Sequence, residues 1–279
     1  MILRFFICFH TLVGLVACRL FSTGVEFDEG SKDNGYLVYT SRVILPDTSL
    51  AFYPYGDELY ALAIQAYKDM THDCQTRGFT GDECPRAMSV FAHERELHFG
   101  SSVRKYKRPD VQNVPNHEFF YGFLASTISP GSTSKAGTLN RLQTAMLQCQ
   151  ARNRDSLDPQ EHNFRGQCGE FTSVFTYLLS KSDPENVDLK GSRIVTVGRY
   201  DKEDLVSDPQ YFPACVRGRM PFPATYGCFN WVKKLGVWSP GSVLGPSDIP
   251  DPGSRVDRVE LCDLYGGDDL ADLDATDLN

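Results

Sequence analysis

Cys168-Gly169-Glu170, followed by Pro213-Ala214-Cys215 and then Cys228, constrains this chain more than any other feature. Gly169 to Leu179 spaces Phe171, Val174, Phe175, Leu178 and Leu179 for the buried side of a helix. Cys228 opens a second helical pattern, with Trp231, Val232 and Leu235 at i+3, i+4 and i+7 and a stop at Gly236 and Val237. Ionisation of a thiol is favoured at the positive end of a helix, which is where Cys168 and Cys228 stand. Three thiolates can hold a soft divalent ion and keep a fourth position for water, while a nearby carboxylate that does not ligate it can move protons. The competing use of the same residues is structural, as a disulfide such as Cys215 to Cys228.

The segments between these helices read as strand and loop. Gly191 to Tyr200 is a strand, Tyr211 to Cys215 a loop, and Arg255 to Tyr265 a further strand before a Gly266-Gly267 turn. Arg152 to Gln167 is polar and reads as a loop. Towards the N-terminus, Gly35 to Leu45 is rich in β-branched and aromatic residues and bounded by Asn34-Gly35 and Pro46, so a strand is expected. Four helices should follow it: Glu58 to Met70, Asp82 to Phe99 starting near Pro85, Asn116 to Ser126 and Thr138 to Gln150. Met70, Met88 and Met146 then serve as core filler.

The order of loop, Cys-x-Glu, helix, strand, loop, Cys, Cys, helix and strand resembles the cytidine deaminase-like superfamily, nearest to its secreted toxin-type members with a degenerate second cysteine motif. The resemblance covers roughly Asn163 to Tyr265. It implies an α/β fold with a three-layer α/β/α core over residues 151–267, behind a mostly helical region at 25–150. It also implies zinc as cofactor, with Cys168, Cys215 and Cys228 as ligands. Glu170 is then the group that takes a proton from water and delivers it to a nucleobase ring, free or within a nucleoside or nucleic acid, with cytosine as the first candidate. The family separates its two later cysteines by two residues, whereas twelve lie between Cys215 and Cys228. Loop closure costs only ~0.6 kcal/mol per doubling of length, so a loop that leaves and returns at one point tolerates the insertion.

Gly166-Gln167-Cys168-Gly169-Glu170 before an apolar helix also looks like the nucleophile segment of transglutaminase-like and papain-like cysteine hydrolases. Those need a histidine as base, in the first case after the cysteine, and the six here, His10, His72, His93, His98, His117 and His162, all precede Cys168. His93-Glu94-Arg95-Glu96-Leu97-His98 is no metalloprotease motif, because its histidines are five apart rather than four, and it reads as a charged helix face. A third reading is a non-catalytic, disulfide-stabilised binding protein.

Export is expected from the N-terminus. Arg4 precedes a mostly apolar run from Phe5 to Ala17, 13 residues against the roughly 20 that a spanning helix needs, which describes a signal peptide within residues 1–24. Leu15-Val16-Ala17-Cys18 allows a lipoprotein variant. No later stretch reads as a transmembrane span, and no Asn-x-Ser/Thr sequon follows the signal. Seven cysteines remain after it, so three on zinc would leave Cys74 with Cys84 as a local bridge and Cys149 with Cys262 as a long one. Three disulfides and one remaining thiol fit the same count.

A net charge of −8 excludes general affinity for polyanions, so any phosphate must be met at a local patch. The basic cluster is Ser102 to Arg108, read as a solvated loop with a phosphate contact as the functional alternative. Residues 268–279 are acidic and without a core pattern, which predicts a disordered tail.

Overall fold

The computed structural model describes residues 21–33, 35–46, 56–105, 137–142, 144–145, 167–199, 208–212, 228–240 and 255–257. The first half holds β1 (Glu26–Phe27), α1 (Glu29–Asp33), β2 (Tyr36–Leu37), β3 (Tyr39–Ile44), α2 (Gly56–Thr76), β4 (Ala87–His93), β5 (Glu96–Ser101) and β6 (Arg104–Lys105). The second holds α3 (Gly169–Leu179), β7 (Arg193–Gly198), β8 (Gln210–Phe212), α4 (Cys228–Lys234) and β9 (Arg255–Asp257). Residues 137–142 and 144–145 are also helical, as the Thr138 pattern predicts. The expected helix at Asn116 to Ser126 lies outside the described residues.

The fold is mixed α/β around one mostly antiparallel sheet, in the order β1-β3-β5-β4-β7-β8 with β9 also on β3. β4 lies at its centre, antiparallel to both β5 and β7. β2 and β6 pair separately. A parallel bridge from Arg193 to Trp238 brings the chain after α4 alongside the start of β7.

Helices cover both faces of this sheet. Leu59, Leu62, Ala63, Ala66, Tyr67 and Met70 form the apolar stripe of α2 and pack on Met88, Val90, Leu97, Phe99, Val195 and Val197. Each leucine, valine, methionine or phenylalanine among them, fully buried, contributes about 1.5–3 kcal/mol. The stripe continues to Cys74, so α2 runs to Thr76, past the Met70 end expected from sequence, and Cys74 is bonded to Cys84. On the other face α3 is buried along Gly169 to Leu178, with Phe171, Val174, Phe175 and Leu178 against Phe91, Ile194 and Trp231 of α4.

The region before residue 150 is less helical than its sequence suggests. The stretch Asp82 to Phe99 is not a helix: it is the β4–β5 hairpin, turning at Glu94 and Arg95, where Glu94 takes φ 50°. Because helices cover both faces, Met88, Val90 and Ala92 are buried on one side and Ser89 and Phe91 on the other. The run is therefore continuously buried and mostly apolar instead of alternating, and period cannot separate it from a buried helix. The charged face expected over His93 to His98 is thereby replaced by a turn and a strand, with His98 fully buried. The expected strand at Gly35 to Leu45 is present as β2 and β3. The expected loop from Tyr211 begins instead as β8, paired to β7.

Candidate metal centre

Cys168 is the N-cap of α3, in extended backbone geometry (φ −86°, ψ 151°), and its thiol forms no capping hydrogen bond. Cys228 is the first residue of α4. Both are buried thiols. With Glu170 they form a group whose sulfur and carboxylate oxygen atoms all lie within 4.8 Å of one another. Such a group could hold a metal ion. Zinc takes thiolate and carboxylate donors, so the donor set suits zinc.

Two glycines allow α3 to approach the sheet closely. A Cβ on Gly169 would lie 2.6 Å from Ser89 Oγ and 2.8 Å from the Gly100 carbonyl oxygen. A Cβ on Gly100 would lie 2.4 Å from the Ser173 nitrogen. The first turn of α3 therefore sits on the backbones of β4 and β5, and the middle residue of Cys168-Gly169-Glu170 must be small. Buried hydroxyls along α3 are satisfied within the helix, Ser173 donating to the Glu170 carbonyl at 3.2 Å and Thr176 to the Ser173 carbonyl at 2.8 Å.

Glu170 is buried, 5 % exposed as a residue. Burial pushes its pKa up, opposed by hydrogen bonds from its own backbone amide, the Thr196 hydroxyl and the Cys228 thiol. Thr196 stands directly across from Ser89 in the β4–β7 ladder, and their hydroxyls meet at 2.7 Å. Ser89, Thr196 and Glu170 thus form a buried polar chain. Sequence reading missed Ser89 and Thr196; the available signal was a hydroxyl interrupting the apolar runs Met88 to Ala92 and Ile194 to Val197.

Of the residues expected at the site, the structure brings Cys168, Glu170 and Cys228 together. Cys215, the third expected ligand, lies outside the described residues. The Cys74–Cys84 disulfide is present as expected, while Cys149 and Cys262 also lie outside them. No described histidine accompanies Cys168. The His98 ring packs on Tyr177, nine residues further along α3 and so about 13 Å away along its axis. His93 bonds Ser192 at 2.7 Å, and His72 is exposed on α2.

A second polar cluster occupies the other end of this face. Glu96 accepts hydrogen bonds from Lys181 Nζ at 2.6 Å and Arg42 Nε at 3.2 Å, and its carboxylate lies 3.0 Å from His98 Nε2. Burial alone would raise the Glu96 pKa, but the bonds to His98 and Lys181 hold it well below the usual carboxylate range. Burial pushes His98 down to about 4 against the pull of Glu96.

Comparison with family models, curated proteins and solved structures finds no match to this chain. Among the described residues no helix is long and apolar enough to cross a membrane.

Proposed function

We propose that this chain is a zinc-dependent hydrolytic deaminase acting on a nucleobase, nucleoside or nucleic acid, with cytosine as the first candidate substrate. The observation that carries the proposal is the meeting of Cys168, Glu170 and Cys228 from two helix starts sixty positions apart. Helices on both faces of the sheet support the three-layer α/β/α deaminase-like core that the resemblance implies. Cys168 and Cys228 are two of the zinc ligands in this reading, and Cys215 is the third.

Cys168 and Cys228, with Cys215, would hold the zinc, which would supply an activated water by lowering its pKa to about 7. Glu170 would take one proton from the water and pass it to the ring nitrogen, then take the second from the hydroxyl added to the ring carbon and pass it to the amine that leaves as ammonia. Thr196 fixes the orientation of that carboxylate, and Ser89 fixes Thr196. Burial favours the protonated carboxyl. The N-terminal pattern of Arg4 and the apolar run from Phe5 to Ala17 supports a secreted protein. An exported enzyme with an intracellular kind of substrate is a toxin or effector directed at another cell.

The test is conversion of cytosine to uracil, supplied as free base, as cytidine and in a single-stranded oligonucleotide. Wild type should convert at least one of them, and Glu170→Gln should retain zinc while turnover falls by about 10²–10⁴-fold. No conversion of any form by zinc-loaded protein, or equal conversion by the variant, contradicts the proposal.

A further inference from the structure

The basic run beginning at Ser102 has no role in the metal centre, and the structure adds two arginines to it from elsewhere in the chain. Arg104 lies in β6, opposite Leu37. Arg86 immediately precedes β4 and Arg199 immediately follows β7, and the Arg199 amide donates to the Arg86 carbonyl at 3.2 Å. Ser102 ties the third segment in, its hydroxyl accepting from the Arg86 amide at 3.0 Å and the Ala87 amide at 3.2 Å. All three side chains gather near Tyr67 of α2, whose phenol feels the charge of each, and the Arg199 guanidinium sits 5.3 Å from its ring centroid.

Among the described residues, positive charge exceeds negative charge in this corner. Asp82 pairs with Arg86 Nη2 at 3.1 Å, but its side chain is 78 % exposed. Asp208 influences Arg199 while bonded to Lys68 Nζ at 2.8 Å. Arg86 Nε is buried and has no hydrogen-bond partner. The Arg104 side chain is partly buried, and burial and the charge of Arg86 push its pKa down against the pull of Asp82 and Tyr67. Partly buried guanidinium groups in this state are costly unless an anion accompanies them. Several rigid donor forks at one point suit phosphate, which can engage more than one of them.

We infer that Arg86, Arg104 and Arg199 form a binding corner for a phosphate group carried by a nucleotide or by a single-stranded nucleic acid. The corner lies at the Cys168 end of the sheet: Val103 donates to the Gln167 carbonyl at 3.0 Å, just ahead of Cys168. Thr196, bonded to Glu170, precedes Arg199 by three residues, or about 10 Å of strand. Taken with the deaminase reading, on which this last step rests, the substrate carries phosphate and is not a free base; the anion site itself rests on the arginines alone.

The experiment titrates the full chain with CMP and, separately, with a fluorescein-labelled single-stranded oligodeoxycytidylate at several salt concentrations. At least one probe should bind saturably and more weakly as salt rises, and which one binds tells nucleotide from polymer. The double variant Arg86→Gln and Arg104→Gln should lose affinity roughly tenfold or more. For the oligonucleotide it should also flatten the log–log salt slope by about 0.7 per arginine removed. Lys233→Gln on α4 should bind as wild type does. Absence of saturable binding by either probe, or wild-type affinity in the double variant, overturns the inference. Should that variant fail to fold, phenylglyoxal labelling of wild type decides: CMP or the oligonucleotide protects Arg86 and Arg104, and unchanged labelling with both probes overturns the inference. Phosphate binding without deamination would leave this corner standing and remove the deaminase reading, and deamination of free cytosine without phosphate binding would do the reverse.

Discussion

The two faces of the central sheet are buried equally well and built differently. Beneath α2 the strands present Met88, Val90, Leu97, Phe99, Val195 and Val197, an apolar layer. Beneath α3 the same strands present Ser89 and Thr196 beside Glu170, and His98 and Glu96 at the far end. Strand alternation makes this possible, since neighbouring residues point to opposite faces and one run can supply a core and a site together. The α2 face therefore carries stability, while the α3 face spends part of its burial on polar groups that need exact partners.

If that division holds, damage to the apolar face should be a loss of stability alone. Leu62→Ala, which removes a fully buried side chain from α2, should cost about 3 kcal/mol in urea unfolding while the folded fraction keeps its zinc stoichiometry. Loss of metal from protein that remains folded would break the comparison.

Acid should act through the other face. In the unfolded chain His98 takes up a proton near pH 6.5, but the folded chain resists until about 4, so stability falls as pH drops through that window. Glu96 has a depressed folded pKa and adds a further loss below about pH 4.5, where the unfolded carboxylate becomes protonated. The His98 contribution should be on the order of 1–3 kcal/mol, read as urea midpoints between pH 7 and pH 4. His98→Gln should flatten the upper part of that profile; an unchanged profile would show that the buried imidazole is not the cause.

The smallest effect sharpens the role of the hydroxyl chain. Thr196→Val should cost about 1 kcal/mol, while Thr196→Ser should restore both stability and turnover. Its informative readout is kcat: a drop with KM and zinc content unchanged marks loss of Glu170 orientation, and an effect on stability alone reduces Thr196 to a structural residue.

Local signals were read well and non-local ones poorly. The helices at Gly169 and Cys228, the Cys74–Cys84 bridge and the β7 segment each announce themselves within about a dozen residues, through period, punctuation or short separation. The β4–β5 hairpin did not, because burial on both faces erased its alternation and its turn, Glu94-Arg95, lacks the glycine or asparagine that usually marks one. Ser89 and Thr196 stand out only as hydroxyls within apolar runs, and their partnership was invisible for another reason. Their pairing depends on register between strands 107 positions apart, which no local pattern encodes. The centre was legible as a set of ligand types, and the residues that hold Glu170 in place were not.

The most direct test is metal analysis and zinc X-ray absorption on the full chain, followed by alkylation of its thiols under native and denaturing conditions. The account predicts one zinc per chain with sulfur ligands at about 2.3 Å and with Cys168 and Cys228 masked until denaturation. Protein without metal, with Cys168 and Cys228 recovered in crosslinks, would contradict it.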